Sequence, residues 1–203
     1  MKLRFFALLA LAALPLGACV PIVIGAGGAA VYSSLEDRRS TGVQIEDESI
    51  EVRASNRISD RFGSRVHVNV TSYNRIALVT GEVPDEGARA EIEKIVRAVP
   101  NVRDVTNDLQ ISGLSSYGSR SNDTYLTSKV RGRLFDTKRV SPVHLKVVTE
   151  SGVVYLMGMV TEPEADEAVD IARNTGGVRK VVKVFEYCKP SDDICRARTK
   201  SGT

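Results

Sequence analysis

At 203 residues, 42% hydrophobic and 26% charged, the chain has the make-up of a soluble globular protein with room for one or two small domains. A net charge of +3 is too small to argue for nucleic acid, and no nucleic-acid partner is expected. There is no Trp and few other aromatics, so any core has to be built from Val, Ile, Leu and Ala.

Residues 1–18 read as a signal segment. Lys2 and Arg4 form a positive start, and residues 5–14 an apolar stretch too short to span a bilayer. Leu16-Gly17-Ala18-Cys19 follows and resembles the bacterial lipobox. That resemblance implies cleavage before Cys19, a diacylglyceryl group on its thiol and an acyl (palmitate-type) chain on the new amino terminus. The other reading is a plain secretory signal with a buried Cys19. A burial of roughly 0.8 kcal/mol per CH₂ makes two or more chains a stable anchor. Val20, rather than an acidic residue, comes next. By resemblance to enterobacterial sorting signals, this implies a lipid anchor in the outer membrane, facing the periplasm. Residues 19–46 are expected to be a lipidated leader and tether. Within them, 20–31 is apolar and Gly/Ala-rich, either lying in the membrane interface or serving as a flexible leader, and 32–46 is polar and joins the anchor to the folded part.

The remainder is duplicated. His67-Val68-Asn69-Val70 aligns with His144-Leu145-Lys146-Val147 at an offset of 77, which also pairs Gly81 with Gly158 and Ala88 with Ala165. The leading helices align at an offset of 76, Ala54 on Val130 and Ile58 on Leu134, and so do Val102-Arg103-Asp104-Val105 and Val178-Arg179-Lys180-Val181.

The first unit, 47–111, opens with a helix over 47–62, with Asp47 or Ser49 as a possible cap. Strands follow over 66–71 and 76–82, joined by a turn at 72–75, then a helix over 85–99 and a strand over 102–111. Residues 112–121, Gly- and Ser-rich without periodicity, are expected to be a linker.

The second unit, 122–189, repeats the order. Its first helix, 122–135, carries Asp123 as expected N-cap and Leu126, Val130 and Leu134 as an apolar stripe. Strands over 143–149 and 153–160 are joined by Glu150-Ser151-Gly152, a hairpin signal. Pro163 opens a helix over 162–174, Gly176-Gly177 ends it, and 178–187 is the last strand. The fold class is therefore α+β: two tandem domains, each helix–strand–strand–helix–strand, with a three-stranded mixed sheet covered on one face by two helices. Residues 190–203 are a basic tail expected to be disordered.

This element order, the strand-end Gly81 and Gly158, the Val-Arg-x-Val entries at Val102 and Val178, and Ser-Asn-Asp-Thr at 121–124 resemble BON domains, in particular the dual-BON outer-membrane lipoproteins. The resemblance runs from the lipobox to about Lys189. It implies binding of anionic phospholipid (phosphatidylglycerol, cardiolipin) through the first helix of the second domain, a part in envelope integrity under stress, and association with the cell-division site.

The duplication also acts as an internal control. The core stripes of the two first helices agree in type, and Arg53 and Arg57 match Lys129 and Arg133. The outer faces differ: Tyr125 replaces Ser49, Phe135 replaces Ser59, and Gly132 replaces Asn56. Aromatics outside a filled core stripe suit an apolar contact, and tyrosine favours the membrane interface. Lys129, Arg131, Arg133, Lys138 and Arg139 are placed to attract lipid phosphates, each contributing on the order of 1 kcal/mol near an anionic surface. The bland alternative is that Tyr125 and Phe135 pack on the first domain or the linker. The functional alternative is an adaptor or chaperone-like stress protein using the same face for an envelope protein partner.

No catalytic constellation is found. His67 and His144 occupy equivalent repeat positions, one per unit, and give no short-spaced ligand pair, so no metal is expected. There is no G-x-S-x-G, no P-loop and no G-x-G-x-x-G beside a helix, so neither enzyme activity nor a cofactor is expected. Cys188 and Cys195 stand either as a disulfide, which persists in the periplasm, or as two free thiols in a loose tail.

Overall fold

The computed structural model describes residues 37–137 and 139–195. The expectations for Cys19, the signal and leader up to residue 36, Lys138 and the tail after 195 lie outside those residues. The order is α1 (Thr41–Phe62), β1 (His67–Tyr73), β2 (Ile76–Val83), α2 (Glu86–Arg97) and β3 (Asp104–Ile111), then α3 (Tyr117–Asp136), β4 (Leu145–Glu150), β5 (Val153–Val160), α4 (Glu162–Arg173) and β6 (Lys180–Tyr187). Each unit is thus helix–strand–strand–helix–strand. In each sheet the middle strand pairs antiparallel with the first and parallel with the third. No described helix is long and apolar enough to cross a membrane.

Both leading helices start earlier than their sequences suggest. α1 begins at Thr41 behind the N-cap Ser40, and α3 at Tyr117 behind Ser116, so residues 117–121 are helical rather than linker. Ser116 accepts from the Ser119 N–H, and Ser40 from the Val43 N–H. Asp47 and Asp123 are therefore not N-caps. They lie inside their helices, buried on the core side. Asp47 accepts the backbone N–H groups of Asn74 (2.8 Å) and Arg75 (2.6 Å), and the Ser72 hydroxyl. Asp123 accepts those of Ser151 (2.9 Å) and Gly152 (2.8 Å). In each domain one carboxylate thus clamps the two central residues of the β-hairpin, and those residues all have positive φ. This left-handed pair is the two-residue hairpin turn whose twist matches the strands. Non-glycine residues in that region are strained, and in the first hairpin, where both are non-glycine, a charge-assisted pair of bonds offsets the strain.

Each sheet has two buried faces. On one face Ala77, Val79 and Val83 pack with Ile50, Ala54, Ile58 and Ile92, and Val154, Leu156 and Val160 pack with Val130, Leu134 and Ala168. The other faces meet each other: Tyr73 and Leu78 from the first domain share a cluster with Tyr155, Met157 and Met159 from the second. A single large apolar side chain fully buried here contributes roughly 1.5–3 kcal/mol. Polar bonds ring this junction. The Tyr73 hydroxyl donates to the His144 carbonyl (3.1 Å), the Tyr155 hydroxyl to Asp108 (2.8 Å), and Lys146 pairs with Glu51. Two helices cover one face of each sheet, and the neighbouring domain packs on the other.

The segment ahead of α1 is docked rather than a free tether over 37–40. Arg38 makes a bidentate pair with Glu164 (2.7 and 2.9 Å) and donates to the Met159 carbonyl (2.7 Å). Arg39 bridges Asp37 and Asp47 and stacks 3.9 Å over the Tyr73 ring. Cys188 and Cys195 form a disulfide with Cα atoms 6.1 Å apart, and the Cys195 carbonyl also accepts from Arg38. Burial opposes the charge on Glu164, but bonds from His144, Arg38 and Thr161 outweigh it and hold the carboxyl well below the usual carboxylate range. A depressed folded pKa stabilises above the unfolded value, about 4.3, and that contribution fades as pH falls through the folded one. Glu164→Gln is therefore expected to cost about 3 kcal/mol at pH 7. The deficit should shrink once pH drops below about 4. Urea unfolding of both chains at pH 7 and pH 3 measures it.

Candidate functional site

Helix α3 buries Leu126, Val130 and Leu134 against the second sheet. At 100° per residue this turns Tyr125, Gly132 and Phe135 outward. Tyr125 is 62% exposed and Phe135 76%, so neither ring packs on the first domain or the connection. A Cβ added at Gly132 would meet nothing within 4 Å, leaving a shallow step between the two rings. Tyr117, 86% exposed, extends the set. It lies 18 residues before Phe135, five full turns, and therefore on the same side, roughly 27 Å along the axis. Sequence reading misses it because 112–121 looks like a linker; only a helix extended back to Ser116 puts it in line.

The hydroxyls between the rings are turned inward. Ser121, Thr124 and Ser128 each donate to the carbonyl four residues earlier, at 3.0, 3.1 and 3.0 Å. Back-bonding of this kind satisfies the hydroxyl within the helix. The outer face between the aromatics is therefore less polar than its serines and threonine suggest.

The cations behave differently from the expectation that they all project toward lipid phosphates. Arg133 donates to the Asn174 carbonyl and the Thr175 hydroxyl, at the end of α4. Its counterpart Arg57 donates to the Ala98 carbonyl (3.0 Å) at the end of α2. Both cap the C-terminus of the second helix of their domain, where a positive charge complements the helix dipole. Arg133 is thus part of the common scaffold. Arg131 reaches back to the Val147 carbonyl on β4 (3.1 Å), and Arg139 pairs with Glu167 (3.1 Å). Lys129 donates to the Gly176 carbonyl (2.9 Å) while its ammonium sits 5.8 Å over the Tyr125 ring. The pairing of Lys129 with Tyr125 is peculiar to the second domain, since Arg53 at the same repeat position bonds Glu46 instead. What distinguishes α3 from α1 is therefore a ring-bearing outer face with one cation at its edge.

Comparisons with known proteins match this architecture. The family model described as BON domain matches residues 46–113 and again 122–189. The chain is 37% identical over 187 residues to the outer membrane lipoprotein DolP of Haemophilus influenzae, covering 91% of this chain and 96% of that one. It is 31% identical over 153 residues to the 21 kDa hemolysin of Actinobacillus pleuropneumoniae, covering 74% and 79%. It is 26% identical over 141 residues to the osmotically-inducible protein Y of Escherichia coli, covering 68% and 70%.

Proposed function

The chain belongs to the BON-domain family, and from that premise we propose that it is an outer-membrane lipoprotein, anchored through Cys19 and facing the periplasm, whose α3 docks on anionic phospholipid. It acts as a binding protein and not as an enzyme. The observation that carries the reading is the outer face of α3. Tyr117, Tyr125 and Phe135 are more than half exposed, and the first domain has serine where the second has Tyr125 and Phe135. A soluble protein gains nothing by exposing such rings in a row unless something apolar covers them. An interfacial membrane contact covers the rings and leaves the tyrosine hydroxyls wet.

The charged part of the contact is smaller than the sequence suggests. Lys129 stands at the rim of the face, while Arg131 and Arg133 hold the domain together and add their charge from one side. Affinity for lipid is then weak on its own. The anchor raises the local concentration of membrane, so a weak site operates continuously. Docking of this kind concentrates the protein where anionic lipid is enriched, and that is how we connect it to envelope integrity and to the division site.

Protein lacking residues 1–19 is expected to bind vesicles of phosphatidylglycerol or cardiolipin at least tenfold more tightly than neutral phosphatidylcholine vesicles, and less tightly as salt rises. Flotation measures both. Equal binding to neutral vesicles would remove the anionic part of the reading. No binding, with a periplasmic protein retained instead, would favour the adaptor.

A further inference from the structure

Away from α3's outer face, three potential metal ligands meet where the two domains join. We propose that His67, Glu82 and Glu150 form a site for one divalent transition-metal ion of the zinc type, which ties the first domain to the second.

The three residues come from three places in the chain. His67 opens β1 and faces Glu82 across the antiparallel pair with β2. Glu150 ends β4, in the other domain. The His67 Nδ1 lies 2.9 Å from Glu82 Oε2 and 3.9 Å from Glu150 Oε1. A ligand atom from each of the three lies within 4.8 Å of the others. Zinc binds nitrogen and oxygen at about 2.0–2.2 Å, which sets tetrahedral neighbours about 3.3–3.6 Å apart. The observed distances straddle that spacing, so small side-chain shifts admit the ion. An imidazole with two carboxylates is a donor set for zinc and its neighbours, whereas calcium and magnesium take oxygen alone.

Burial and charge argue the same way. The Glu82, Glu150 and His67 side chains are only 3%, 5% and 18% exposed. Two buried carboxylates around one imidazole leave negative charge in excess. A divalent cation supplies the missing charge. Both carboxylates are also held in place. Ser115 donates its N–H (3.3 Å) and hydroxyl (3.1 Å) to Glu82 Oε2, and Asn69 donates to Glu150 Oε2 (2.8 Å). Such outer partners orient ligands in metal sites. A cavity of about 340 Å³, lined by His67, Asn69, Asp123 and Glu150 among others, adjoins the cluster and offers a way in and room for a water as fourth ligand. The ion takes the Nδ1 lone pair of the neutral imidazole, whose one proton then sits on Nε2.

The duplication provides a control. His144 holds the repeat position of His67, but Met159 stands where the first domain has Glu82. The second unit therefore lacks the set, and the ligands assemble only across the junction. Spacing along the chain hides this, which is why sequence reading expects no metal.

The test uses the full chain in detergent, stripped with a chelator and titrated with Zn²⁺ by calorimetry. One ion per chain is expected, with affinity at least tenfold weaker in Glu82→Gln and in Glu150→Gln and unchanged in His144→Ala. Absence of stoichiometric binding, or binding unaffected by either glutamine, overturns the proposal. Should a glutamine variant fail to fold by circular dichroism, the unaltered chain decides through its imidazole NMR signals. There are two histidines, and zinc must move the His67 signal and leave that of His144 in place. The reverse, or no movement of His67, overturns the proposal.

Discussion

Gly81→Ala is expected to destabilise the first domain by roughly 4 kcal/mol, combining backbone strain with a steric clash. Gly81 sits in β2 with φ +121°, and a Cβ there would lie 2.0 Å from the His67 carbonyl oxygen. Neither atom has anywhere to move: the carbonyl is backbone, and Val83 and Val79 on the same strand are fully buried. With total stabilities of about 5–15 kcal/mol, such a loss is enough to open the β1–β2 hairpin. Amide exchange along β1 and urea unfolding measure it. The matched control is Gly132→Ala in α3, where a Cβ meets open space. That change should stabilise the helix by up to about 1 kcal/mol. Two glycines of the same chain thus predict opposite signs from geometry alone.

Tyr125→Ser with Phe135→Ser is expected to lower affinity for phosphatidylglycerol vesicles at least tenfold, because it gives α3 the residues of α1 at both positions. Stability should change by less than about 0.5 kcal/mol, since both rings are exposed and no core contact is lost. The two readouts separate a binding face from a folding element. Adding Tyr117→Ser should weaken binding further, because that ring lies on the same side of the helix as Phe135. Arg133→Ala should do the reverse in kind: it removes a helix cap and lowers stability, with a smaller effect on vesicle affinity than the aromatic pair. Unaltered binding in the double variant would remove the aromatic face from the account.

The order of elements and the second hairpin turn are legible because the duplication makes local signals appear twice, whereas the first turn, expected over 72–75, is confined to Asn74 and Arg75, with Ser72 and Tyr73 in β1. Val66, Val68 and Val70 alternate, Ile92 and Val96 recur with helical period, and Ser151-Gly152 spells a turn. Asp47 and Asp123 depart from the cap that their local sequence suggests. Asn122-Asp123-Thr124 after a Gly/Ser-rich run has the look of a helix start, and local chemistry favours a cap there. The signal that identifies them is their shared repeat position on the apolar stripe: a carboxylate kept twice on a core face needs a buried partner. The junction between the domains was not legible as a contact, because it is non-local, yet it left a trace. Leu78 in β2, and Tyr155, Met157 and Met159 in β5, are too bulky or too apolar for a solvent face. Lys129, Arg131 and Arg133 stand on α3. Their partners, carbonyls at the end of α4 and on β4, follow only from the packed domain.

The outward set on α3 is the lipid-binding surface to be tested. Amide shift mapping of the chain lacking residues 1–19, titrated with short-chain phosphatidylglycerol micelles and with phosphatidylcholine micelles as control, tests it most directly. Shifts are expected to cluster along α3, at Tyr117, Tyr125, Gly132 and Phe135, with Ser49, Asn56 and Ser59 on α1 unmoved. Shifts centred on α1 or on the junction between the domains, or none with either lipid, would contradict that expectation.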